Sequence, residues 1–479
     1  MAWRKFLVLI RKPGIQKKSS WPYGLRINIV KLALTVCRNE EESKVALELQ
    51  GETNTIKHST MKYRSAVMGA VLWLMGSLVA AAADDASLPL IYLYPVKNLV
   101  IAKQWVARND PSIMAPYAHL MGKAHAALLA KAESVMDKSL VAASGNKHDF
   151  FSYGPYWWPD PKKPDGRPYI WRDGHIYPES KIGTDSWPFW RTCKNAETLA
   201  YAYYFTGQKD YAEKAAELIR VWFLNPATAM NPSANYGQAI PGVIDGRGEG
   251  VIEMRHLILV TEAIALIEPS GAWTKDDQSA FRHWLEQYYD WLTHTKQSIS
   301  QGATGNNHMS WRDVQLVLFS LVLGKPDYAR ALLQKEFPRL LNMQIKSKGE
   351  QSRELVRADP LEYSLFNLEA LFQLEILGDY VGVDCWKITA KDGGGLYAAL
   401  DYLAPYTDAG LPWPESEVRT VNRKRLLPLL AQAYAQNKDI RYRSLLDKFS
   451  DDGDDPDHWR LFWPYDAPGL ANDQPNVFK

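Results

Sequence analysis

The chain has 479 residues, 46% of them hydrophobic and 12% aromatic, ample for a large core in one or two domains. Its formal charge of +2 is misleading: residues 1–64 carry 13 Lys+Arg against 5 Asp+Glu, so 43 basic and 49 acidic residues lie beyond them, a net of −6. That balance excludes a general nucleic-acid or membrane-surface binder, and any anionic ligand must be met by locally concentrated cations.

Residues 1–60 are basic and weakly patterned, unlike the rest. Met61 then opens "MKYRSAVMGAVLWLMGSLVAAAADD". Lys62 and Arg64 form a positive n-region, and Ala66 to Val79 is an apolar run too short for a comfortable membrane span. Ala81-Ala82-Ala83 before Asp84-Asp85 has the small-residue form of a cleavage site. This reads as a secretory signal peptide over 61–83. Such a peptide works at an N-terminus, so Met61 is the expected start and 1–60 an artefact of start-codon choice. The alternative is an internal membrane anchor behind a basic tail. The mature chain, 84–479, is expected to be one catalytic domain, periplasmic or secreted, with no membrane association after cleavage. Of Cys37, Cys193 and Cys385, the last two could pair in an oxidising compartment if the fold brought them together. There is no CxxC and no zinc spacing.

From about residue 110 the helical period dominates. Helical runs cover 115–136, 189–205, 210–224, 249–267, 275–299, 327–345 and 360–377, and strand-like alternation is confined to "RPYIWRDGHIYP". Turns recur at Gly207, Gly271, Gly324, Gly378 and Asn437, in steps of 64, 53, 54 and 59 residues. Each step is room for one helix pair, with Gly or Asn ending a helix in the left-handed conformation. "VQLVLFSLVLG" and "LILVTEAIALI" are apolar all round, as inner helices must be. The fold class expected is all-α: an incomplete (α/α) toroid or barrel of helix-pair repeats. Its long insertions, 146–190 and 225–250, would build a cleft at one end.

Three segments there are rich in polar and aromatic groups. In "FFSYGPYWWPDPKKPDGRPYIW", Tyr156, Trp157 and Trp158 could form a wall for pyranose rings. In "NPSANYGQAIPGVIDGRGEGVIEMRH", the glycines permit tight turns and close approach to a ligand, and Gln238, Arg247, Glu253 and His256 could face a cleft. It is not a phosphate loop, lacking the preceding strand and the following Lys-Ser/Thr. The third is "GATGNNHMSWRDVQ" together with "GEQSRELVRADPLEYSLFNLEAL". Asn307-His308 and Arg357/Tyr363 sit at helix beginnings in neighbouring repeats, and Asp359-Pro360 reads as N-cap and N1.

Asn, His, Arg and Tyr together suit proton abstraction beside a carboxylate. In a polyuronate, Arg and an amide can neutralise the carboxylate, His or Tyr can take the C5 proton, and Tyr can protonate the departing C4 oxygen. The chain then breaks by β-elimination, with no metal and no cofactor.

"NNHMSW", "RELVRADPLEYSLFNLEAL", "YGPYWWPDP" and "NYGQAIPGVIDGRGEG" together resemble the alginate lyase superfamily, most closely polysaccharide lyase family 38 and more distantly family 5, over roughly residues 115–400. The resemblance implies an (α/α) barrel with Asn307 and Arg357 neutralising the carboxylate, His308 as base or helper, and Tyr363 as acid alone or as acid and base both. It implies an anionic polysaccharide partner, alginate that contains mannuronate or, alternatively, glucuronan. In mannuronate and glucuronate, H5 and O4 lie on one side, so one Tyr could serve twice; in guluronate they lie on opposite sides and a second base is wanted. Two other classes stay open. A glycoside hydrolase would need two carboxylic acids across the bond, and Asp245, Glu249, Glu253 and Asp359 are the candidates. A non-catalytic polyuronate-binding protein would need none of the proton chemistry. The oligomeric state is not set by the sequence.

Overall fold

A computed structural model describes residues 89–449 and 459–466. The expected extension (1–60) and signal peptide (61–83) lie outside the described residues. Among the described residues no helix is long and apolar enough to cross a membrane.

The fold is all-α, and paired helices form a toroid. The helices are α1 (Val96–Ala107), α2 (Pro111–Leu128), α3 (Ser186–Thr206), α4 (Lys209–Ile219), α5 (Leu257–Ile267), α6 (Lys275–His294), the short α7 (Lys296–Gln301), α8 (Asn307–Val322), α9 (Pro326–Gln344), α10 (Pro360–Val381), α11 (Leu396–Leu403), α12 (Leu426–Asn437) and α13 (Ile440–Phe449). α3 packs on α4 and α5, and α8 packs on α9 and α10. α5 also touches α8, and α10 touches α12, so α3, α5, α8, α10 and α12 form the inner ring.

Composition explains which helices go inside. In α8 every residue from Asp313 to Leu321 is buried, and in α5 nearly all are. A helix apolar on all sides has no solvent face to offer. The outer helix α6 instead buries Phe281, Trp284, Leu285, Tyr288 and Leu292, a single stripe at helical spacing. The ends of the ring meet through the turn Trp459–Leu461, which packs on α1, α2 and α12. There Asn98 Nδ2 donates to the Phe462 carbonyl (2.8 Å), and Tyr94 stacks on Phe462.

Gly207, Gly271 and Gly324 take positive φ at the expected helix ends. Two of the turn expectations need correction. α10 runs through Gly378 and stops at Gly382, φ +71°. Gly378 is small for another reason: a Cβ there would sit 2.5 Å from the Val383 carbonyl oxygen. At the last turn the left-handed residue is Lys438, φ +58°, not Asn437. Cys193 and Cys385 are both free, buried thiols.

The strands are short and lie in the insertions. β1 (Phe151–Tyr153) pairs in parallel with β4 (Tyr236–Ala239), tying the two long loops together. β2 (Trp157–Trp158) pairs antiparallel with β3 (Ile170–Trp171); of the two, β3 lies within the one stretch expected to alternate, and β2 precedes it.

Behind the polar ends of α8 and α10 lies a buried amide network. Ser310 Oγ donates to Asn367 Oδ1 (2.6 Å), and Asn367 Nδ2 donates to Gln344 Oε1 (2.9 Å) and Gln351 Oε1 (2.8 Å). Gln344 Nε2 reaches the Asn306 carbonyl (3.2 Å) and Gln351 Nε2 that of Ser364 (2.8 Å). The network fixes the start of α8 against the first turns of α10. Asn367→Ala orphans several of these groups at once, and a loss of about 3 kcal/mol is expected, measured by denaturant unfolding. A change under about 0.5 kcal/mol would mean that the network does not carry this load.

Candidate active site

Asn306 caps α8: its Oδ1 accepts from His308 N (3.1 Å), which leaves Asn307 and His308 in the first turn. Asn307 is buried and bound twice by Glu354, through its backbone N (2.6 Å) and Nδ2 (2.9 Å). Burial pushes the Glu354 carboxyl up to about 7, against the two hydrogen bonds from Asn307 and the Arg357 charge, which favour its ionised form. His308 is partly exposed, yet its Nδ1 is buried with no protein hydrogen-bond partner. Burial, then the charges of Arg357, Arg247 and Arg255, pull the imidazole down to about 3. His308 is therefore neutral at ordinary pH.

Arg357 lies before α10 with its guanidinium 3.9 Å from the centre of the Tyr363 ring. Asp173 grips it by two hydrogen bonds, Nε to Oδ2 (3.0 Å) and Nη2 to Oδ1 (2.7 Å), and also accepts from Ala358 N (3.0 Å). The expected carboxylate neutraliser thus already holds one protein carboxylate. Tyr363 is buried, and its hydroxyl donates to Tyr156 Oη at 2.6 Å. Burial and the neighbouring Tyr156 push the Tyr363 phenol well above its ordinary value, so it rests protonated.

The start of α10 departs from the simple cap expected of Asp359. Pro360 is at N1, but the Asp359 side chain caps nothing in its own helix. It accepts from Val418 N (2.7 Å), Arg419 N (2.8 Å) and Arg419 Nε (2.6 Å). The Leu361 amide is instead met by Glu417 Oε1 (2.5 Å). Arg419, so tethered, stands 6.0 Å from the Tyr363 ring centre.

Of the expected substrate-binding residues, Tyr156 joins the centre directly. Trp157 lies edge-on to Trp171 with the Arg247 guanidinium 6.0 Å from its centre. Trp158 is covered by Arg172 and Tyr177, and its Nε1 is bonded to the His175 carbonyl. The more exposed aromatic is Trp171, 46% accessible and edge-on to Tyr156. Gln238 is buried at φ +51°, a strained conformation for a side chain of its size. It fixes Arg247, which donates to its carbonyl (3.0 Å) and Oε1 (2.8 Å) and to Glu249 (2.9 Å). The loop glycines serve the chain itself. A Cβ on Gly237 would lie 2.8 Å from the Gly250 Cα, and one on Gly246 2.0 Å from the Asn235 carbonyl oxygen.

The candidate hydrolase carboxylates do not pair across a cleft. Glu253 is buried and accepts from Ser152 and Ser186, Asp359 is held by Arg419, Glu249 by Arg247, and Asp245 is exposed. Among the described residues no three His, Cys, Asp or Glu side chains are grouped as a metal site requires. Sequence reasoning missed Asp173, Glu354, Arg255, Trp171 and Arg419. Glu354 lay within "RELVRADPLEYS", Arg255 within "GRGEGVIEMRH", and Trp171 and Asp173 within the strand-like stretch, but no spacing singled them out, and nothing marked Arg419.

The arrangement combines a neutral imidazole, a neutral phenol and several guanidiniums at the helix beginnings of one end of the ring, a set suited to chemistry beside an anionic carboxylate. Known proteins point the same way. The family model described as alginate lyase matches residues 134–413. The crystal structure of an alginate lyase from Bacteroides ovatus is 33% identical, covers 78% of this chain and 99% of that one, and superposes with a TM-score of 0.74. Alginate lyase A1-III from Sphingomonas species A1 is 13% identical, over 67% of this chain and 87% of that one, with a TM-score of 0.40, too distant to carry residue correspondences. Comparison with curated proteins found no match. The protein is a carbon–oxygen lyase of the polysaccharide-cleaving kind, acting by β-elimination. It belongs to the alginate lyase family.

Proposed function

We propose that the protein is an exported lyase, periplasmic or secreted, that cleaves a polyuronate, mannuronate-containing alginate foremost and glucuronan as the alternative. The observation that carries this reading is the pairing of a resting neutral imidazole, His308, with a resting neutral phenol, Tyr363, among guanidiniums.

In this reading the substrate carboxylate enters the cationic end of the ring beside Asn307. His308 takes the C5 proton. The C5–H electron pair becomes the C4=C5 double bond, the C4–O4 pair leaves with O4, and Tyr363 gives O4 its proton. The guanidiniums that depress His308 are those a bound carboxylate would offset, so the imidazole gains basicity as substrate binds. In mannuronate and glucuronate both events occur on one side of the sugar ring. Tyr156, bonded to the Tyr363 hydroxyl, is placed to return a proton between turnovers. The exposed face of Trp171, beside Tyr156, suits an adjoining sugar.

The test is an ultraviolet assay for the conjugated C=C–COO⁻ product on polymannuronate, polyguluronate, glucuronan and a neutral glucan side by side. Product from polymannuronate or glucuronan and none from the glucan is expected. Reducing sugar released without the chromophore would overturn the reading.

A further inference from the structure

Arg247, Arg357, Arg419 and Arg425 each hold a protein carboxylate: Glu249, Asp173, Asp359, and Glu362 with Glu369. Arg255 is different. Among the described residues it has no carboxylate at ion-pair distance, and the hydrogen bond it makes is from Nη1 to the Ile252 carbonyl (2.7 Å). The acidic groups whose fields reach it are engaged elsewhere. Both oxygens of Glu369 are taken by Arg425, and Glu253 is held by Ser152, Ser186 and Lys181.

The position of Arg255 is informative. It is the next-to-last residue of the 3-10 stretch Gly248–His256 that leads into α5. Its guanidinium lies 5.0 Å from the centre of the Phe366 ring. Phe366 is one turn along α10 from Tyr363, and its carbonyl accepts from Trp311 Nε1 (3.1 Å), one turn along α8 from His308. Arg255 thus packs on the layer beneath the two proton-transfer groups, close enough for its charge to act on His308. Burial pulls the guanidinium down to about 10, so it is still a cation at neutral pH. A half-buried guanidinium without a counter-ion is costly, and such a group beside a reaction centre points to a charged ligand.

We propose that Arg255 binds a carboxylate of the polyuronate, supplying the positive charge that Arg357, committed to Asp173, supplies only in part. This rests on the polyuronate reading above. Guanidinium suits the task through its planar pair of donors.

Binding is measured by calorimetry in the Tyr363→Phe protein, which removes turnover, with mannuronate and glucuronate tetrasaccharides as probes. Adding Arg255→Gln is expected to weaken binding by about 10- to 100-fold and to flatten its salt dependence, while Arg255→Lys recovers part of the loss. A merely structural role for Arg255 would leave the salt dependence unchanged. Unaltered affinity and salt dependence in Arg255→Gln overturn this proposal and leave the polyuronate reading standing. If neither tetrasaccharide binds the Tyr363→Phe protein or is cleaved by the unsubstituted protein, both fall together.

Discussion

Tyr363→Phe is expected to lower kcat on the preferred polyuronate by about 10³-fold or more, the upper part of the range for losing a positioned general acid. The phenylalanine keeps the ring under Arg357 and loses only the hydroxyl bonded to Tyr156. Thermal unfolding should therefore shift little, since Tyr156 retains access to solvent. The acid role has a sharper signature. A uronate whose C4 oxygen carries an acidic aryl leaving group needs little protonation as it departs. The variant should recover much of its rate on that substrate. Equal loss on both substrates would show that Tyr363 does not act as the acid.

His308→Ala is the second large effect, a fall of about 10²- to 10⁴-fold in kcat. The residue sits in the first turn of α8 with Nδ1 lacking any protein partner, so its removal disturbs few contacts. Added imidazole should restore part of the activity if the ring serves as a base. The protonation state can be checked directly. With its value drawn down to about 3, the His308 ring signal should not titrate in the free protein from about pH 8 to about pH 5, where an ordinary histidine does. The sign for stability follows. The unfolded chain binds the proton more readily, so this group's stabilising contribution is complete above the ordinary histidine value and is lost as pH falls toward 3. A His308 signal titrating near its ordinary value would remove the basis for a resting neutral base.

The ring of helix pairs could be read from the sequence because it is periodic. Apolar stripes and glycine stops repeat, and Gly207, Gly271 and Gly324 punctuate the chain as their neighbours suggest. Asn307, His308, Arg357 and Tyr363 stood out as polar residues at the mouths of apolar helices. Their partners were harder to place. Tyr156, 207 residues from Tyr363, showed only as an aromatic of a sugar-stacking loop, and Asp173, 184 residues from Arg357, lay in the strand-like stretch with nothing local to tie it to the guanidinium it holds. Gly378 misled because a glycine signals a turn locally, whereas here it lets the chain after α10 pack close to the helix. Asp359 misled similarly: the cap rule is local, and its carboxylate was claimed by a segment about 60 residues away.

That last contact bears on how the protein can be divided. Asp359 is wholly buried, and the groups that balance its charge, the Val418 and Arg419 amides and the Arg419 guanidinium, lie past residue 413, where the match to the family model ends. The limit of family likeness is therefore not a limit of structural independence. A chain trimmed to that limit would keep Asn307, His308, Arg357 and Tyr363 and still strand a naked carboxylate at the root of the helix that bears Tyr363. Segment exchange between relatives faces the same constraint: α10 and the stretch around Glu417–Arg419 are a matched pair, to be moved together.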